Sequence, residues 1–219
     1  MASAPETIDT SAGLTRALAD LAAADPDLGR AAEIAGPLPV RARAGGFASL
    51  LKIIVDQQLS TASANAIWRR LEAAAGPVTA DSFLALDDGA LAAAGLSRPK
   101  QAYGRHIAQA VASGGLDLAG LGDKDDAAAL EALVALKGVG RWTAEIYLLF
   151  CLDRPDIWPA QDLALQVAVQ HLKALDARPG VAEMDAVARP WRPWRGTAAR
   201  LLWRYYRVVK GRLDPGAAA

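Results

Sequence analysis

Leu136-Lys137-Gly138-Val139-Gly140-Arg141-Trp142-Thr143-Ala144 lies between two segments whose apolar residues recur at helical spacing. Two glycines flanking one apolar residue let a backbone turn tightly and approach a ligand closely, with the peptide N–H groups of the following helix start pointing outward. The stretch is either a phosphate-gripping hairpin or a plain helix-to-helix turn. The order of the next elements bears on the choice: a helix over about 141–152, a Pro-broken loop over 153–161, and Asp162-Leu163-Ala164-Leu165 opening another helix.

Working outward, the chain reads as all-α. Alanine supplies 50 of 219 residues and Gly plus Pro only 31, so most segments are built from the best helix former and carry few breaks. Strand-like alternation is absent. Thr10 or Ser11 caps a helix to about Ala24, and 25–46, broken by Pro26, Pro37 and Pro39, reads as a loop with one short turn. Phe47, Leu50, Leu51, Ile54 and Val55 mark the first long apolar helix, and Ser60 starts a second that carries Ile67, Trp68 and Leu71. Short helices are expected over 81–93, then helices over 97–113, 125–136 and about 194–209. Residues 1–10 and 214–219 read as flexible ends around a core at 11–213, with the hairpin at about 136–142. Helices from both ends of the chain are expected to share one lobe, leaving a middle lobe and a cleft.

Charge and cysteine usage narrow the functional classes. The formal net charge is zero, from 24 Lys plus Arg against 24 Asp plus Glu. The total conceals a segregation: Arg189, Arg192, Arg195, Arg200, Arg204, Arg207, Lys210 and Arg212 place eight cations and no acid within 24 residues. A local basic face of this kind suits a phosphate partner. Cys151 is the only cysteine, which excludes an intrachain disulfide framework, a four-cysteine zinc site and an iron–sulfur cluster held by this chain alone. No apolar run reaches the roughly 18 residues of a bilayer span, and the first 20 residues do not read as a secretion signal. A reducing, cytoplasmic setting is expected.

Together, the hairpin, the loop and Asp162 resemble the helix-hairpin-helix DNA glycosylase superfamily, and within it the alkylpurine, DNA-3-methyladenine glycosylase II type. The resemblance runs from about Phe47 to Tyr206. It is carried also by Gln57-Gln58-Leu59-Ser60, by Ile157-Trp158-Pro159 leading to Asp162, and by Trp191-Arg192-Pro193-Trp194-Arg195. It implies two helical lobes flanking a DNA-binding cleft, and an enzyme that removes alkylated purines such as 3-methyladenine and 7-methylguanine from duplex DNA. Larger relatives add an N-terminal β-rich domain; with about 46 residues before the matched region, a core-only, monomeric form is expected.

The resemblance makes Asp162, 24 residues after Gly138, the essential carboxylate. A purine methylated at N3 or N7 is cationic and departs as a neutral base, leaving an oxocarbenium-like sugar that a carboxylate stabilises while it orients water. Electrostatic placement of this sort is worth about 3–4 kcal/mol per group. Taken alone, Asp162 reads equally as a helix N-cap, and the two roles are compatible, because a helix N-terminus favours negative charge. Strand-cleaving members carry a nucleophilic lysine where this chain has Trp142, so a monofunctional enzyme without a Schiff-base step is implied. Trp142, Trp203 and Trp158 are candidate aromatic walls of the lesion pocket, with core packing as the competing role. Gln161, where a second acid is frequent, is a fourth candidate pocket residue.

DNA contacts are assigned by the same resemblance. Lys137, Gly138, Val139, Gly140 and Arg141 would grip the backbone, with a structural Na⁺ or K⁺ held by the carbonyls of Leu136 and Gly138 and no cofactor required. Gln57, Gln58 and Leu59 would form the wedge that fills the gap left by a flipped base, with either Gln58 or Leu59 as the intercalating residue. Arg200 and Arg207 flank Trp203 at helical spacing and, with the 98–100 segment, are further phosphate candidates. His106 and His171 have no spacing that implies a metal or a proton relay. The rival readings are a same-fold glycosylase for other lesions, a non-catalytic helix-hairpin-helix DNA-binding module, and a helical interaction protein in which Asp162 only caps a helix.

Overall fold

Amphipathic, alanine-rich segments fold as helices throughout the computed structural model, which describes residues 11–39 and 43–213. The expected flexible ends, and Thr10 as a cap, lie outside the described residues. Among those described there are twelve α-helices and no strand. Contacts divide them into two compact units, one of residues 11–39 with 153–213 and one of residues 43–152.

The middle unit holds α3 (Phe47–Asp56), α4 (Thr61–Ala75), α5 (Ala80–Ala85), α6 (Asp88–Ala94), α7 (Arg98–Ala112), α8 (Asp126–Val134) and α9 (Arg141–Cys151). Its axis is α3, which packs against α4, α7 and α9. Leu50, Leu51, Ile53, Ile54 and Val55 are buried along it, because five apolar residues in six positions leave no face for water. Phe47 meets Phe83 of α5 edge-on at 5.8 Å. Ser60, Thr79, Asp87 and Asp125 each accept a backbone N–H at a helix start, so polar residues set the helix boundaries.

The other unit joins both ends of the described chain: α1 (Ser11–Ala24), α2 (Pro26–Ala35), α10 (Leu163–Leu172), α11 (Val181–Ala188) and α12 (Arg195–Leu213). The long α12 packs on α1, α2 and α10. Here the expectation of a loop over 25–46 is corrected, since Pro26 begins α2 instead of breaking a helix. Proline at the first helical position forfeits no hydrogen bond, and Asp25 before it caps the turn by accepting from Asp27 N at 3.1 Å. The same buried carboxylate takes both Lys173 Nζ, at 2.7 Å to each oxygen, and Trp191 Nε1 at 2.9 Å. Thus the cap also ties α2 to the α10 end and to Trp191. The α11 helix, which apolar spacing does not mark, starts at Gly180, whose N–H donates to Glu183 at 2.7 Å.

Candidate functional site

Asp162 is delivered by a loop that α12 holds along its length. Asp153 Oδ1 accepts from Arg200 Nη2 at 2.6 Å, the Pro155 carbonyl from Gly196 N at 2.7 Å, and Asp156 from Arg195 Nε at 2.7 Å and Nη2 at 2.9 Å. Arg195 Nη2 also reaches the Asp156 carbonyl at 2.8 Å, and Arg192 adds a longer bond to the carboxylate at 3.0 Å. A closing turn brings Asp162 N to the Pro159 carbonyl at 2.9 Å. Asp162 then caps α10: its Oδ1 accepts Leu165 N at 3.0 Å and, from α12, Trp203 Nε1 at 3.0 Å. Of the expected pocket residues, the structure therefore joins Asp162 directly to Trp203.

This loop accounts for much of the basic stripe. Arg200 is spent on a buried ion pair, its side chain 8% exposed against 9% for Asp153. As a phosphate contact it is corrected: a guanidinium sealed against a buried carboxylate has no face for DNA. Arg195 is likewise committed to Asp156, and Arg204 donates to the Ala35 carbonyl at 2.6 Å, closing the end of α2. Arg189, Arg207 and Lys210 are exposed, and the side chain of Arg212 is not among those described. The complementary signal in the sequence is Asp153 and Asp156, two acids in a short loop ahead of an acid-free Arg-rich segment.

Trp158 finds no support as a pocket wall. It is 4% exposed, meets Trp191 edge-on at 5.3 Å and donates its indole N–H to the Met184 carbonyl at 3.2 Å. Both its apolar ring and its polar tip are satisfied inside the unit. Gln161 is exposed, as is Leu163 just past Asp162. His171 Nδ1 lies 2.5 Å from Tyr205 Oη within the same helical packing. Among the described residues no cluster of three or more His, Cys, Asp or Glu could hold a metal ion.

In the other unit, the hairpin takes the form that its glycines require. Gly138 has φ +94°, and a Cβ there would lie 2.3 Å from Cγ of Tyr103 on α7. Both the backbone conformation and the close packing exclude a side chain. Val139 is buried, the Leu136 carbonyl accepts Val139 N at 3.1 Å, and Gly140 opens α9 with no side-chain cap and open space around it. Lys137 and Arg141 are exposed, Arg141 also pairing with the buried Glu145 at 2.8 Å. Trp142 is partly exposed in the first turn of α9. At the far end of α9, burial pushes the Cys151 thiol up to about 11, well above an ordinary thiol and too high for a reactive nucleophile.

The 57–60 loop belongs to this unit as well. Gln58 adopts φ +58°, a region costing about 1–2 kcal/mol for a residue with a Cβ, and is exposed beside Leu59 at 40% exposure. Gln57 is turned inward, its Nε2 donating to Thr143 Oγ1 of α9 at 2.7 Å. Lys100 is in α7 and not in a loop; its Nζ donates to the carbonyls of Val55 and Gln57 at 2.8 and 2.7 Å, and burial lowers its pKa. The phosphate role expected for the 98–100 segment is corrected for Lys100, while Arg98 stays exposed.

Residues 51–193 match the model of the HhH-GPD superfamily base excision DNA repair protein. The chain belongs to that superfamily. A Bacillus halodurans DNA-3-methyladenine glycosidase structure shares 30% identity with a TM-score of 0.77, covering 91% of each chain, which puts this chain in the DNA-3-methyladenine glycosylase branch. The Schizosaccharomyces pombe 3-methyladenine DNA glycosylase in complex with abasic DNA superposes with a TM-score of 0.78 at 26% identity, covering 86% of this chain and 95% of that one. A putative DNA-3-methyladenine glycosylase of Bacillus subtilis is 29% identical over 163 residues, 71% of this chain. The chain spans 57% of the length of that relative. Among the described residues no helix is long and apolar enough to cross a membrane.

Proposed function

We propose that this HhH-GPD protein hydrolyses the N-glycosidic bond of alkylated purines in duplex DNA and stops at the abasic site, with Asp162 as its catalytic carboxylate. The observation that carries this reading is the double hydrogen bond to Asp162 Oδ1, from Leu165 N and Trp203 Nε1. Two N–H donors on different helices fix the direction of the carboxylate before substrate arrives, so that it need not reorganise as positive charge develops at C1′. The methylated base supplies its own leaving-group activation, being cationic when bound and neutral when it leaves. The ring face of Trp203 is the proposed partner of that cation, worth about 0.5–2 kcal/mol. Trp142 stands where strand-cleaving members carry an amine, which supports base release without lyase chemistry.

Backbone phosphates are assigned to the hairpin, Lys137 to Arg141, whose Lys137, Gly140 and Arg141 are exposed while the Val139 side chain is buried beneath them, and to Arg207. Any Na⁺ or K⁺ would be held by the carbonyls of Leu136 and Gly138; the first already accepts Val139 N, and its second lone pair is the one available to a cation. Such an ion would neutralise phosphate charge at the hairpin and take no part in the chemistry.

The test is release of free base from methylated duplex DNA by the wild type and by Asp162→Asn, with hot alkali revealing abasic sites. Asparagine keeps an oxygen for both donors and removes the charge. Methylpurine release by the wild type, lost by at least about a hundredfold in a variant that still folds and binds DNA, is the expected result. Tight duplex binding by a wild type that releases nothing would replace the enzyme with a DNA-binding module.

A further inference from the structure

The 57–60 loop turns at an unusual place. It leaves the C-terminus of α3 with an exposed residue, Gln58, at φ +58°, and presents Leu59 to solvent. Sparsely populated backbone conformations persist where the surroundings over-determine them. Here two contacts do so. Lys100 reaches from α7 and places one ammonium between two carbonyls, those of Val55 in the last turn of α3 and Gln57 at its end. From α9, Thr143 holds the side chain of Gln57 at 2.7 Å. The first residue of the loop, Gln57, is thereby held by α7 and α9 immediately before the residues that face outward.

A cation at a helix C-terminus satisfies carbonyls that would otherwise face water or a buried void. Asp56, which lies between Val55 and Gln57, pairs with Lys52 one turn earlier on α3 and also attracts the Lys100 ammonium, so that charge has a carboxylate beside it. The side chain of Lys100 is directed at peptide oxygens. It has the chemistry of a brace.

We propose that Lys100 is a positioning residue for base extrusion, fixing the 57–60 loop so that Gln58 and Leu59 enter a duplex at a set depth. This rests on the glycosylase reading above. Extrusion matters most where the damaged base is stacked and paired, and least where it is already unpaired. The two substrate contexts therefore separate a wedge defect from a general loss of structure.

The experiment compares wild type, Lys100→Met and Lys100→Arg on one methylated purine, once paired with its complement and once opposite an abasic site, under single-turnover conditions. Lys100→Met is expected to slow excision of the paired base at least about tenfold while leaving the unpaired substrate within about twofold, and Lys100→Arg to recover part of the loss. Its duplex binding should keep the wild-type salt dependence; a decrease in the slope of log K against log salt by about 0.9 would make Lys100 a phosphate contact and overturn the proposal. Equal losses on both substrates, or none on either, would also overturn it. Should Lys100→Met not fold, Thr143→Val removes the second brace and must show the same paired-substrate selectivity. Fluorescence of 2-aminopurine in the paired site reports extrusion without catalysis: a wild type that unstacks the base but excises nothing sinks the glycosylase reading alone, and one that unstacks it equally with and without Lys100 sinks this one.

Discussion

Trp203 Nε1 and Asp162 Oδ1 lie 3.0 Å apart, and the same oxygen accepts the Leu165 N–H that starts α10. One carboxylate oxygen thus serves as helix cap and as acceptor for a residue 41 positions away. The register between the two is not left to that single bond. Arg195 on Asp156 and Arg200 on Asp153 hold the approach loop to the same helix that carries Trp203, so α12 positions both the indole and the loop whose end it meets.

Replacing Trp203 with Phe keeps an aromatic face and deletes the N–H. A hydrogen bond to a charged group contributes about 1.5–3 kcal/mol. If most of that is expressed in holding the carboxylate for the transition state, single-turnover excision of a methylated purine falls about ten- to hundredfold, with little change in duplex affinity. Excision unchanged within twofold would show that the Trp203 N–H is not needed to orient Asp162.

Arg200 and Arg207 look equivalent in sequence, one turn either side of Trp203, and differ completely in the fold. Arg200→Ala leaves Asp153 buried without its guanidinium partner, which costs about 3–5 kcal/mol of stability. Arg207→Ala, at an exposed position, should leave the denaturation midpoint almost unchanged and reduce the salt slope of duplex binding by about 0.9. Urea melts and a salt titration of binding check both. Equal stability losses would mean that Arg207 also has a folding role.

Helix positions were legible in the sequence wherever apolar spacing was regular and a polar cap stood in front, as at Ser60 and at Asp162. The sequence is silent where a residue's partner is distant in the chain. Pro26 reads as a break unless Asp25 is taken as a cap, and the clustered arginines read as a surface because their partners, Asp153 and Asp156, lie some 40 residues earlier in the chain. Lys100 is the same case, since nothing in its neighbourhood announces that the carbonyls of α3 need a donor. Trp158 fails as a wall for the opposite reason: aromatic identity says nothing about which way a ring faces, and here it faces Trp191.

The two hairpin glycines should behave differently when each is changed to alanine. At Gly138 the added methyl would meet Tyr103 at 2.3 Å with φ at +94°, so the backbone costs about 1–2 kcal/mol and the overpacking about 1–3 kcal/mol more. Adding Tyr103→Ala removes the ring but leaves the Cβ of residue 103 at 2.6 Å from the added methyl and the φ still strained, and should return only part of the lost stability. At Gly140 φ is −80° and nothing lies within 4 Å, so alanine fits and the urea midpoint stays put. Its methyl nevertheless stands at the start of α9, where the proposed phosphate contact needs a close approach to the peptide N–H groups. Gly140→Ala is therefore expected to weaken duplex binding about tenfold in a fully folded protein. If binding is unaffected there and falls only in the destabilised Gly138→Ala, the hairpin glycines serve the turn alone and the phosphate contact lies elsewhere.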